Sequence, residues 1–261
     1  MERWTERFNI QEILFNSGLN ITIHWLEHIG TKLTPNGRTA TEEIFRECFF
    51  RPQERKMSRD SKRIFCGFER KFDNLEVIPQ NGPALILTWH YPRGPLSFIG
   101  VPFWINEAVS QLREDEVVWL GVTRFRLPFK SEGLKKGKEF GRRAIEDCYG
   151  GIYVDYGGNN IGAVREMKKR LEDGHIIGLA PDDIDKTIFP PKEIKRLKPE
   201  AVKLIAHLVE KIPGLSIMAA VPGYFKETNT LALDFIPIEE RPDNPEGWDK
   251  LIKETLSTSI S

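Results

Sequence analysis

The sequence predicts an α/β fold: a single mainly parallel, mixed sheet flanked by helices, with a helical appendage at the N-terminus. Three observations predict it. Short, unbroken apolar runs such as Ala84-Leu85-Ile86-Leu87 and Ile176-Ile177-Gly178-Leu179 read as strands buried on both faces, which is the mark of a parallel sheet. From residue 74 onward such runs alternate with helical stretches of ten or more residues, the pattern of βαβ units. The 261 residues contain no internal repeat and no linker between two cores, so one α/β domain is expected at 73–261. It follows a segment, 1–72, made of amphipathic helix and a basic connector.

Composition narrows the function. The 38 lysines and arginines balance 38 acids, which argues against a dedicated nucleic-acid binder. Cys48, Cys66 and Cys148 are odd in number and far apart. They show no disulfide framework and no zinc spacing, and point to a reducing compartment. The N-terminus has no apolar signal core, and no stretch approaches the ~20 apolar residues of a membrane span. The expected place is the cytoplasm, in solution or on a membrane surface.

Taken in order, residues 8–30 carry apolar positions at helical spacing, broken at Asn16-Ser17-Gly18. They predict two short amphipathic helices or one kinked helix that docks on the domain or on lipid. His24-Trp25-Leu26-Glu27-His28 spells the inverted zinc-protease pattern, but no third ligand follows and no metal is assigned there. A third helix is expected at 39–50, entered at Thr39 or Thr41. Residues 51–71 are strongly basic and are punctuated by Phe65 and Phe68, with Phe72 just beyond. That segment reads as a solvated connector, or as a contact with anionic lipid headgroups with the aromatics at the interface.

Strands are then expected at 75–78, 84–89, 117–121, 152–155, 176–180, 216–221 and 231–236. Helices are expected at 96–112, 134–148, 161–172, 199–212 and 248–256. The runs 84–89, 152–155 and 176–180 are expected to be central and buried. Lys135, Lys136, Lys138, Arg142 and Arg143 form a second basic cluster, either a solvated helix face or part of a bilayer-facing surface.

The strand at 84–89 leads directly into His90, and Pro92, Gly94 and Pro95 force a loop after it. Ligands bind at the carboxyl edge of open α/β sheets. Reading along that edge gives His90 with Arg93, then Thr123 with Arg124, then Asp155 with Gly157, then Asp182 and Asp183 with Asp185, then Pro222-Gly223. A histidine, carboxylates, arginines and glycines gathered there suit general acid/base chemistry. Two other readings of these residues are weaker. The aspartates at 182–185 offer oxygens to Mg²⁺, but no phosphate cradle accompanies them. The stretch 156–162 has the wrong glycine spacing for a dinucleotide site and reads as a turn plus helix start.

The order of these blocks resembles the glycerol-phosphate/lysophosphatidate acyltransferase superfamily. In that family a strand ends in Asn-His, with Asp after four further residues; here Trp89-His90 is followed by Tyr91-Pro92-Arg93-Gly94, and Pro95 stands in the Asp place. The second block is similar to Gly151-Ile152-Tyr153-Val154-Asp155-Tyr156, with Tyr156 replacing the family Arg. Of the third block, Pro181 and an acid at Asp182 remain. The fourth is similar to Ile217-Met218-Ala219-Ala220-Val221-Pro222.

The resemblance implies a peripheral-membrane O-acyltransferase. Its donor would be an acyl-CoA or an acyl-carrier protein and its acceptor a lysolipid or related hydroxyl, with no cofactor and no metal. It implies His90 as general base, with Asp155, Asp182 or Asp183 orienting the ring in place of the missing family Asp. Arg93, Arg124, Tyr156 and Gly157 are the residues implied for substrate binding. Because Tyr156 and Asp185 stand where the family has phosphate-holding arginines, an unmodified glycerol-3-phosphate acceptor is not expected. A non-catalytic member that binds a lipid or acyl chain is the alternative.

Overall fold

The structure, a computed structural model, describes residues 33–89, 100–121, 144–154, 160–182 and 196–258. Among them seven strands form one mixed sheet. They are β1 (Glu69–Asp73), β2 (Ala84–Leu87), β3 (Val118–Gly121), β4 (Ile152–Tyr153), β5 (Ile176–Leu179), β6 (Ser216–Phe225) and β7 (Thr230–Pro237). Their spatial order is β1-β7-β6-β2-β5-β3-β4. Strands β6, β2, β5, β3 and β4 run parallel. β6 turns back into antiparallel β7, and β1 adds parallel to β7. The turn ends on Asn229, whose φ of 53° lies in the left-handed region that asparagine tolerates.

Consecutive strand residues point to opposite faces. Ala84 and Ile86 of β2 join Met218 and Ala220 of β6 in the core on one face. Leu85 and Leu87 join Ile217, Ala219 and Val221 in the core on the other. Helices α1 (Pro35–Phe50), α2 (Met57–Ile64) and α3 (Gly100–Val109) close the first core through Ile44, Ile64, Trp104 and Ile105. Helices α4 (Ile161–Glu172), α5 (Pro199–Lys211) and α6 (Pro245–Leu256) close the second through Met167, Leu171, Ile205, Leu208 and Trp248. With helices on both faces, every residue of β2 and of β5 is buried, which is why their runs are apolar without a break.

Local sequence sets the helix ends. The Thr34 hydroxyl accepts the Gly37 N–H at 3.1 Å ahead of α1, and the Asn244 side chain accepts the Gly247 N–H at 2.7 Å ahead of α6. Each helix then starts on a proline, whose fixed φ suits the first turn. α2 has no side-chain cap of its own. Glu116, in the approach to β3, supplies one by accepting the N–H groups of Met57 at 2.5 Å and Ser58 at 2.9 Å.

Several expectations need correction. Residues 75–78 form no strand; Leu75–Val77 is a single 3-10 turn. The strand lies earlier, at β1, within the segment that reads as a basic connector. Its charged residues hide a two-residue alternation of exposed and half-buried positions, as suits an edge strand. Helices α1 and α2 pack into the same core as the sheet.

Half of the basic segment's cations are paired within the fold, while Arg51, Lys56, Arg59 and Lys62 are exposed. Arg55 pairs with Asp60 at 2.8 Å and with Glu47, Arg63 with Glu43 at 2.6 Å, Arg70 with Glu107 at 2.7 Å, and Lys71 with Asp73 at 3.0 Å. Phe65 and Phe68 are buried, and Phe72 packs on Trp104 with ring centroids 4.7 Å apart. The aromatics expected at a lipid interface thus fill the first core. Counting cations along one segment missed acids brought in from α1 and α3.

Strand β4, expected to be central, is the edge strand beyond β3, with Ile152 buried and Tyr153 half-buried. A run of three apolar residues was too short to signal burial on both faces. The helix expected at 96–112 spans Gly100–Val109. Of the helix expected at 134–148, the described part is a short π-helical turn, Ala144–Cys148. The amphipathic stretch 8–30, with His24 and His28, and the basic residues 135–143 lie outside the described residues.

Candidate functional site

The five parallel strands end along one edge of the sheet. β2 sits at their centre, between β6 and β5. Thr88 follows it directly and is 2% exposed. Its N–H donates to Leu179 O of β5 at 3.1 Å, and its hydroxyl donates to Ala220 O of β6 at 2.9 Å. One residue therefore ties three strands together where the chain leaves the sheet. Trp89 packs against the second core, and His90 is next in sequence.

The end of β5 is held as firmly. Pro181 O accepts the Lys198 N–H at 2.9 Å, and Asp182 forms an antiparallel bridge with Leu197. Asp182 is 1% exposed, so a carboxylate is buried at the end of the strand next to β2. On the other side of β2, Pro222 and Gly223 continue buried within β6. β4, which leads into Asp155, is different. The order β2-β5-β3-β4 puts it three strand spacings from β2, roughly 14 Å at the usual inter-strand distance.

Of the site residues expected from the sequence, Asp182 alone is described. His90, Arg93, Arg124, Asp155, Tyr156, Gly157 and Asp183 lie outside the described residues. What the fold brings together is the set of strand ends that carry them. Among the described residues no group of His, Cys, Asp and Glu is arranged to hold a metal ion, and no helix is long and apolar enough to cross a membrane.

A polar cluster in the first core escaped the sequence reading. The Arg55 guanidinium grips both carboxylate oxygens of Asp60 at 2.8 Å and also donates to Glu47. The bond to Asp60 raises the Arg55 pKa and keeps that group charged. Tyr149 donates its hydroxyl to Asp60 at 2.8 Å, and burial pushes its pKa up. Cys48 and Cys148 are buried in the same core, and the influence of each thiol on the other holds the Cys48 pKa above and the Cys148 pKa below the ordinary thiol value. Nearby, the buried Glu107 carboxylate accepts from the Ser61 hydroxyl at 2.6 Å and pairs with Arg70. One signal was available: Asn106 and Glu107 interrupt the otherwise apolar run of α3, so both had to find partners. Nothing in the spacing of the cysteines announced that two of them share one core.

No family model and no curated protein matches the chain. Among solved structures it is similar to the 1-acyl-sn-glycerophosphate acyltransferase from Thermotoga maritima. The identity is 13%, over 85% of this chain and 78% of that one, with a TM-score of 0.45. A likeness at that level says nothing of chemistry, and the fold class stands on the strand order itself.

Proposed function

We propose that the chain is an O-acyltransferase that moves a fatty acyl group from a thioester to a hydroxyl of a lysolipid or related acceptor. One observation carries this reading. Three of the four sequence blocks that resemble the acyltransferase superfamily belong to adjacent strands. The His90 block follows β2, the Asp182 block follows β5, and Val221-Pro222 lies within β6, in the spatial order β6-β2-β5. Blocks scattered over more than a hundred residues of sequence therefore share one part of the sheet edge.

His90 is the general base in this reading. It takes the proton of the acceptor hydroxyl, whose oxygen attacks the thioester carbonyl. The tetrahedral intermediate then collapses, the C–S bond breaks, and the leaving thiolate takes the proton back from the imidazolium. The products are an ester and a free thiol. Pro95 cannot orient the ring, so a carboxylate at a strand end must do so. The strand spacing favours Asp182, with Asp183 beside it in sequence, over Asp155. Arg93, Arg124, Tyr156 and Gly157 are assigned to substrate. The concentration of acids at 182–185 disfavours a phosphomonoester dianion as acceptor.

The donor is an acyl-CoA or acyl-carrier protein, and the chain works in the cytoplasm at an anionic membrane surface. Pro95 itself favours a second reading, a non-catalytic protein that binds an acyl chain. Thiol release by the purified chain separates the two. Release from acyl-CoA that depends on added lysolipid, and is lost in His90→Ala, is the expected result. No acceptor-dependent release with either donor class would leave the binding reading.

A further inference from the structure

Helix α2 shows the solvent one sign of charge. Its exposed side chains are Arg59 and Lys62, and Lys56 is exposed at its N-cap. Spaced three residues apart, they form one stripe along the helix. No ion pair engages any of them among the described residues. The acid of the helix, Asp60, is turned inward and gripped by Arg55. Across 51–64 the exposed charges are Arg51, Lys56, Arg59 and Lys62 against Glu54 alone. The helices over the second core differ. Each exposes both signs: Lys169 with Glu172 on α4, Lys203 with Glu200 on α5, and Lys250 with Glu246 on α6. A second observation points to the same side of the sheet. The Thr34 hydroxyl donates to Cys66 O at 2.8 Å, just past the end of α2. Gly37 lets α1 begin against Ile64, whose carbonyl a Cβ would strike. Residues 8–30, expected from their sequence to be amphipathic, thus join the fold at one end of the cationic stripe.

We propose that α2 is the face that meets the bilayer, with Lys56, Arg59 and Lys62 against anionic phospholipid headgroups. The first core then lies toward the membrane, and the second core, under α4, α5 and α6, lies toward water. This rests on the membrane-surface reading above and adds to it which side of the sheet faces the lipid. Headgroups in a fluid leaflet rearrange around the cations, so the stripe needs no preformed pocket. Each cation near an anionic surface strengthens binding several-fold, and an apolar helix face attached beside the stripe adds to that. Because the stripe is unpaired within the fold, it is free to pair with lipid at no cost in internal ion pairs.

The test removes equal charge from opposite sides of the full chain. One triple variant carries Lys56→Gln, Arg59→Gln and Lys62→Gln; the other carries Arg165→Gln, Lys169→Gln and Lys203→Gln, all at exposed positions. Binding to vesicles of equal parts phosphatidylglycerol and phosphatidylcholine is read by co-sedimentation at low salt. The α2 variant is expected to bind about 100-fold more weakly than the unaltered chain, and the other variant to bind nearly as well as it. Should either triple fail to fold, Arg59→Gln against Arg165→Gln decides, with a loss of about 5-fold expected in the first alone. Binding by the α2 variant at the unaltered level, or an equal loss in both variants, would overturn the proposal. No binding by the unaltered chain would remove the membrane surface and this face together. Thiol release with lysolipid in neutral detergent micelles is measured in parallel and is expected to be unchanged in the α2 variant. Its absence from every chain would count against the acyltransferase reading alone, and the vesicle comparison would still decide the face.

Discussion

Thr88 holds the exit of the central strand by donating to β5 and β6 at once, from a position almost sealed from water. Thr88→Val keeps the shape and removes the hydroxyl. It leaves the Ala220 carbonyl short of a donor, a loss of about 1–3 kcal/mol in urea unfolding. Gly178 is constrained differently: a Cβ there would meet the Trp119 ring at 2.6 Å. Gly178→Ala is expected to cost about 1–3 kcal/mol through overpacking between β5 and β3. Wild-type stability for either variant would contradict the packing described.

Glu107 gives a test by pH. Burial raises its carboxyl above the ordinary range, and Ser61 and Arg70 offset part of that. An unfolded glutamate titrates at about 4.3. Below that value both states hold the proton and no penalty arises. Above it the unfolded chain releases its proton first, so stability falls with rising pH until the folded carboxyl has ionised as well. Glu107→Gln removes this contribution. The unaltered chain is expected to lose more Tm than the variant between about pH 4 and 8. Equal slopes would show that Glu107 titrates normally.

At the scale of elements, the borrowed cap on α2 is the clearest case of a helix end set from outside its own sequence. Glu116→Ala leaves the N–H groups of Met57 and Ser58 without that carboxylate. A cost of about 1–2 kcal/mol is expected, with faster hydrogen exchange at the start of α2 than elsewhere in the first core. Unchanged exchange there would argue that the cap is idle.

The sequence made some elements legible and not others. β2, β5 and α4 were legible because burial on two faces, or a helical stripe closed by Gly174 with its φ of 88°, leaves an unmistakable pattern. β1 was not, because its pairing with β7 supplies the reason for a strand and lies far away in sequence. β4 was found as a strand but misplaced, since an edge position depends on which neighbour is missing.

For the whole molecule, the carboxyl edge was legible from strand order alone, and the choice among its carboxylates was not. Only the topology shows that β5 adjoins β2 while β4 lies three strands away. The basic surface illustrates the opposite limit: Arg55, Arg63 and Arg70 are spent on partners within the chain. Any pull toward anionic lipid is therefore shared between residues 8–30 and 135–143 and the exposed Arg51, Lys56, Arg59 and Lys62. Flotation with anionic vesicles is expected at low salt and fades through ~0.1 to 0.5 M. A chain lacking residues 1–32 is expected to float less, and equal flotation would contradict that assignment.

The account turns on His90 acting with a carboxylate from the neighbouring strand. The most direct measurement is acceptor-dependent thioester turnover in His90→Ala, Asp182→Asn, their double variant and Asp155→Asn. His90→Ala and Asp182→Asn are each expected to lower turnover by about 100-fold or more. The double variant is expected to be little worse than either, because the two act as a unit, and Asp155→Asn is expected to be far milder. Turnover that survives loss of His90, or that depends on Asp155 and ignores Asp182, would contradict the account.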